Sequence, residues 1–210
     1  MIFLISDKKY KELKDIFMEL KEEQIRLVGL LATERLWKPF TDSLILARSP
    51  KLEESVRTCL DLLWESSIEG VISNHQNQEY DRMLQVVSST ADEENPEEEF
   101  LAPYPLYLLG GLSSGRRCNN KKQIIDVYGA KTVRPLDMIC DDLLNTVTDN
   151  MLDTHPAVVA ELNRIDDDII LAKGFPQNMA EVLKRKAFYQ TLQLVPAIRL
   201  DCKHLFRQLC

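Results

Sequence analysis

Glycine is scarce in this chain, 7 in 210 residues, and alternating runs of β-branched residues are few. Both shortages argue against a sheet protein, whose turns and period-two strands draw on them. Also missing is an uninterrupted apolar run of the ~18 residues that a membrane helix requires. The best stretch, 101–112, is broken by Pro103, Pro105, Gly110 and Gly111. The apolar start Met1–Ser6 meets Asp7, Lys8 and Lys9 too soon for a secretory signal. The expectation is a cytoplasmic protein without a membrane partner. Five cysteines, Cys59, Cys118, Cys140, Cys202 and Cys210, are odd in number and widely spaced, with no C-x-x-C pair. They read as free, small hydrophobes rather than as a disulfide framework or a zinc site.

What the chain does have is apolar residues at helical spacing. At 24.2 kDa, 45% hydrophobic and 28% charged, it is large enough to bury ~70% of its unfolded surface. Tyr10, Leu13, Phe17 and Leu20 draw one stripe. Ile25, Val28, Leu31, Leu36, Phe40 and Leu44 draw a second, with Glu22, Glu23, Arg26, Glu34 and Lys38 mostly off it and Pro39 set to kink or end the helix near Lys38. Ser49-Pro50 is a helix start, and the pattern runs through Val56, Leu60, Leu63, Trp64 and Ile68 to Gly70. Shorter helices are expected over 76–87 and 104–112, separated by a solvated loop, with a polar turn over 113–120. Another helix begins at Lys121, with Pro135 placed to interrupt it. His155-Pro156 opens the next, with Val159, Leu162, Ile165, Ile169 and Leu171 or Ala172 facing inward. Gly174 should stop it in the left-handed conformation, Pro176 should start a helix through Met179, Val182, Leu183 and Phe188, and Pro196 precedes an apolar tail. The pattern predicts an all-α chain: one compact bundle of about seven to eight helices over 1–210, with 190–210 as an added C-terminal helix.

Leu30-Leu31-Ala32-Thr33-Glu34-Arg35-Leu36, then Pro39, then Leu60-Asp61-Leu62-Leu63-Trp64-Glu65, and later His155-Pro156-Ala157-Val158 stand in an order with a counterpart elsewhere. Together they resemble the YjaG-like family of small bacterial proteins, over about residues 10–190. That resemblance implies a compact all-helical fold and no particular activity, because the family's function is unassigned. Gly110-Gly111 and 113–115 depart from it, where the family keeps a longer helix, and 190–210 lies beyond it.

Within the matched stretches Glu34, Arg35, Asp61 and Glu65 carry the charge, and Asp61 and Glu65, four apart, share a helix face. Two carboxylates near an arginine suit acid-base work in a ligand-binding or enzymatic bundle, but an interhelical salt bridge with Trp64 packed beside it is the simpler reading. Nothing supports a metal: His75, His155 and His204 form no Glu-x-x-His, and no cofactor motif is present. Cys59 and Cys140 lie on apolar faces, and there is no Gly-x-Ser-x-Gly elbow. Gly110 to Gly115 lacks the spacing of a phosphate loop.

Charge is unevenly spread. Residues 1–105 carry 21 acidic and 12 basic side chains, and 106–210 carry 12 and 14, which together give the net −7. Arg116, Arg117, Lys121, Lys122, Lys131 and Arg134, opposed only by Asp126, form a basic stretch with little aromatic interleaving, so nucleic acid is not the expected partner. The acidic runs Asp92, Glu93, Glu94, Glu97, Glu98 and Glu99, then Asp141 and Asp142, then Asp166, Asp167 and Asp168, offer a negative surface to a basic protein. The expected function is a non-enzymatic interaction module, in its most concrete form an immunity-type inhibitor of a cationic toxin. A ligand-binding bundle and a homo-oligomer held by the apolar tail are the alternatives.

Overall fold

A computed structural model describes residues 3–41, 50–69, 78–82, 85, 118, 120–143 and 149–194. Its helices are α1 (Phe3–Glu19), α2 (Glu22–Arg35), α3 (Trp37–Thr41), α4 (Pro50–Glu69), α5 (Lys121–Leu143), α6 (Pro156–Lys173) and α7 (Met179–Tyr189), with a 3-10 turn over Asp149–Thr154. The all-α expectation holds: no residue described is in a strand, and the buried apolar side chains form one cluster. None of the helices among the described residues is long and apolar enough to cross a membrane. The expected loop over 88–99, the helix over 104–112 and the tail after Pro196 lie outside the described residues, as does most of 76–87, where 78–82 and 85 are helical.

Helix α2 is the axis of the bundle. Eleven of its fourteen residues are buried, and α3, α4, α5, α6 and α7 all pack on it, α5 most extensively. Its apolar residues are too numerous for one stripe, so it is covered on nearly every side. Glu34, expected off the inward face, is fully buried with its neighbour Arg35. The helix ends at Arg35, three residues before the expected stop. Pro39 explains the shift: in a continuous helix its ring would collide with the carbonyl four residues earlier, that of Arg35, so the chain turns at Leu36 and restarts as α3 with Pro39 inside it.

Pro135, by contrast, does not interrupt α5. It is buried within a continuous helix and has no N–H to offer the carbonyl of Lys131. In α6 the inward stripe is Val158, Glu161, Ile165, Asp168, Ile169 and Ala172. It starts one residue earlier than apolar residues alone suggest, at Val158, and Val159 is 40% exposed. His155 caps α6 by accepting the Ala157 amide at Nδ1. Gly174 is not left-handed, with φ −83°. A glycine stands there because a Cβ would come 2.7 Å from Asn178 Nδ2, which donates to the Leu171 carbonyl at 2.7 Å and closes the turn. That turn occupies 174–178, so α7 begins at Met179 rather than at Pro176, and Leu183 and Phe188 face outward while Val182 and Tyr189 are buried.

The α2–α5 contact depends on Gly29. A Cβ at that position would lie 2.6 Å from Tyr128 Cδ1 and 3.2 Å from the Tyr128 carbonyl oxygen. Alanine gains about 1 kcal/mol of helix propensity over glycine, but overpacking a ring and backbone costs about 1–3 kcal/mol. Gly29→Ala should therefore destabilise the protein, lowering the urea midpoint with the slope unchanged. A raised midpoint would show that the two helices separate at little cost.

Candidate functional site

Three of the charged residues of the matched stretches, Glu34, Arg35 and Asp61, meet at the C-terminal end of α2, where consecutive residues feed two networks. Arg35 is fully buried and reaches α6. Its Nη1 donates to Asp168 Oδ2, and its Nε lies 2.7 Å from Glu161 Oε1. The Nε–H is not aimed at that oxygen, so this second contact is an ion pair without a directed hydrogen bond, and Nη2 has no hydrogen-bond partner. Around this pair, the Tyr189 hydroxyl donates to Asp168 Oδ1 at 2.8 Å, Arg164 donates to Glu161 Oε2 at 3.1 Å, and the guanidinium of Arg35 stacks 4.9 Å from the Tyr189 ring centroid.

Glu34 turns the other way, toward α4. Both its oxygens accept from Arg57, at 2.8 and 2.9 Å, and Oε1 also accepts from the Trp64 indole at 2.6 Å. Arg57 holds Asp61 as well, at 2.6 and 3.0 Å, and Lys186 of α7 donates to Asp61 at 3.0 Å while lying 4.9 Å from the Trp64 ring centroid. The geometry is the two-pronged arginine–carboxylate pairing that gives direction as well as energy.

Burial sets the electrostatics. It opposes ionisation of Glu161 and Asp168, and because one arginine is shared between two dry carboxylates, both stay above the usual carboxylate range. Tyr189 is pushed up to about 12 by burial and by the neighbouring Asp168. Burial also pushes Asp61 upward, but the hydrogen bonds from Arg57 and Lys186 outweigh it and hold the carboxyl below its ordinary value. Glu34 and Asp61 therefore face cations that already occupy their oxygens, and Glu161 and Asp168 have no surface. This is an arrangement for joining helices.

The structure thus unites Glu34, Asp61 and Trp64 in one network and gives Arg35 to another. Glu65 is exposed, and Pro39 acts through the backbone. Of the acidic surface expected from sequence, Asp166 and Asp167 are exposed and Asp141 is exposed on α5. Asp168 is instead 0% exposed, drawn inside by Arg35. Asp166 accepts from Lys9 of α1 at 2.7 Å. The Asp142 side chain, Asp92 through Glu99, His75 and His204 lie outside the described residues. No group of three or more His, Cys, Asp or Glu among the described residues is placed to hold a metal.

No family model, curated protein or solved structure matches this chain.

Arg57, Glu161, Lys186 and Tyr189 complete the networks without standing in the matched stretches. Glu161 and Asp168 were detectable in the spacing Val158, Glu161, Ile165, Asp168, Ala172, whose steps of 3, 4, 3 and 4 trace one helix face. Arg57 likewise stands four before Asp61, the separation of an i, i+4 pair. Nothing local marks Lys186 or Tyr189.

Proposed function

We propose that the chain is a non-enzymatic, cytoplasmic protein-interaction module, most concretely an immunity-type inhibitor that meets a basic protein toxin through its acidic surface. The observation that carries this reading is where the polar groups lie. Glu34, Asp61 and Arg35 are engaged within the bundle, whereas α6 exposes Ile170 with Asp166 and Asp167, and α7 exposes Leu183 and Phe188. Exposed apolar side chains on helices that also carry carboxylates suit protein recognition, and net −7 favours a basic partner. Free thiols at Cys59, Cys118 and Cys140 accord with a reducing compartment. Membership of the YjaG-like family is part of the same proposal. Its support is the order and spacing of the three stretches in the sequence. An enzymatic or ligand-binding role for Glu34, Arg35, Asp61 and Glu65 has less support, since three of the four are held by internal partners or buried.

Capture of a partner from the native host, followed by identification, tests the reading. The bound protein should be basic, and binding should weaken steadily toward about 1 M salt, where the Debye length is about 3 Å. Phe188→Asp should abolish capture with the fold intact, and Asp141→Lys with Asp167→Lys should slow association. Capture that persists unchanged at high salt would sink the electrostatic model.

A further inference from the structure

Two of the eleven residues of α7, Val182 and Tyr189, are buried, against eleven of fourteen in α2. Leu183, Lys184, Ala187 and Phe188 face solvent. A helix of this length has little stability of its own, since isolated helices shorter than about 12–15 residues are marginal in water. Its first turn also lacks a side-chain cap. The side-chain amide of Asn178, the residue in the capping position, donates instead to the Leu171 carbonyl of α6. What keeps α7 helical is therefore its contact with the bundle. Phe175 before it and Leu194 after it both belong to the core, so the segment between them is held at its two ends.

Between those ends α7 lies across both networks. The Tyr189 hydroxyl donates to Asp168 at 2.8 Å, its ring stacks on Arg35, and Arg185 stands 3.9 Å from Asp168. Lys186 holds Asp61 at 3.0 Å, stands 4.0 Å from Glu34 and covers the Trp64 ring. The groups beneath are incompletely bonded. Arg35 Nε and Nη2 and Glu161 Oε1 are fully occluded and have no hydrogen-bond partner among the described residues. An occluded polar atom without a partner costs the closed state the hydration that an open one regains. Lifting α7 thus gives up two buried side chains and several polar contacts, and it returns water to an arginine and two acids.

We propose that residues 176–193 form a strap that lifts from α2 and α6 as one unit while the rest of the bundle stays folded, hydrating Arg35, Glu161 and Asp168 and uncovering Trp64. Tyr189 is its latch, because it joins a buried ring to a hydrogen bond with a buried carboxylate. In the closed state α7 is helical and seated; in the open, minor state it has lost its helix along with its seat. Phe175 and Leu194 stay packed and keep the released segment close to the surface it left. The strap is a property of the chain alone and does not depend on a partner.

Native-state hydrogen exchange on the full chain, read residue by residue by nuclear magnetic resonance at rising sub-denaturing urea, tests this. The amides of 183–189 should share one opening constant, about tenfold or more larger than that of the slowest α2 amides. Its urea slope should be smaller than theirs, because the slope scales with the surface exposed. Helix α6 should keep the slow exchange of α2. Tyr189→Phe keeps the ring and removes its hydrogen bond to a carboxylate, and it should raise the opening constant of the whole helix about tenfold or more. Lys184→Gln, on the exposed face, should leave that constant within about twofold. Exchange of α7 with the constant and slope of α2 would show that it opens only with the whole protein. Exchange that quickens steadily toward one end of α7, without a urea slope, would show fraying in place of release. Either result, or a Tyr189→Phe constant within about twofold of wild type, would overturn the proposal.

Discussion

Arg35→Met should destabilise the protein by about 3–5 kcal/mol, the cost of removing one partner from a buried ion pair. Glu161 and Asp168 are each 0% exposed, so no water replaces the guanidinium that is lost. Because whole-domain stabilities are about 5–15 kcal/mol, the variant should sit near the edge of folding at pH 7. Acid should help it. Without the arginine, both carboxyls have folded-state values further above those of the unfolded chain. The stability that this provides is complete below the unfolded value of about 4 and disappears as the pH rises through the raised folded values. The gap between Arg35→Met and wild type should therefore narrow from pH 7 toward pH 4 in denaturant titrations. Adding Glu161→Gln and Asp168→Asn removes the stranded charges and should restore most of the loss at pH 7. A single variant within about 1 kcal/mol of wild type would show that the network is wet or dispensable.

Trp64→Ala is expected to cost about 3–5 kcal/mol as well, through a different mechanism. The side chain is 2% exposed and packs in the core, and its indole N–H is one of three donors to Glu34. Trp64→Phe separates the two contributions. It keeps most of the packed volume and removes only the donor, a hydrogen bond to a charged group worth about 1.5–3 kcal/mol. Far-UV circular dichroism against guanidinium gives both numbers without relying on tryptophan fluorescence. If the phenylalanine variant matched wild type, the two prongs of Arg57 would be enough for Glu34. If it matched the alanine variant, the indole bond rather than the ring would hold α4 to α2.

Much of the fold was legible because proline and apolar spacing act locally. Pro50 and Pro156 start helices for the reason that makes proline tolerable there, since the first-turn N–H groups have no acceptor in the helix anyway. The structure departs from the sequence pattern where a contact that the pattern does not show decides the outcome. Gly174 serves for the proximity of Asn178, four residues along, and not for a backbone sign. Pro135 stays within α5 because the helix is packed along its length by α2, α1 and α6, which outweighs one missing hydrogen bond. The motif residues were visible as a group, but their partners were not. Apolar periodicity assigns acids to the surface, and Glu161 and Asp168 are buried only because Arg35, more than 120 residues earlier in the chain, is buried opposite them.

The adjacency of Glu34 and Arg35 also bears on which packings the chain can adopt. Neighbouring helix residues point about 100° apart, so one acid and one base leave α2 in two fixed directions, each toward the opposite charge. Were α2 to settle one residue out of phase in one sense, Glu34 would swing toward Glu161 and Asp168; in the other sense, Arg35 would swing toward Arg57 and Lys186. Either error would bring like charges together away from water. The apolar residues of α2, spread nearly all round its axis, do little to choose between its rotational settings. The dipeptide works as a key with two teeth of opposite sign, admitting a single angular setting of the bundle's central helix.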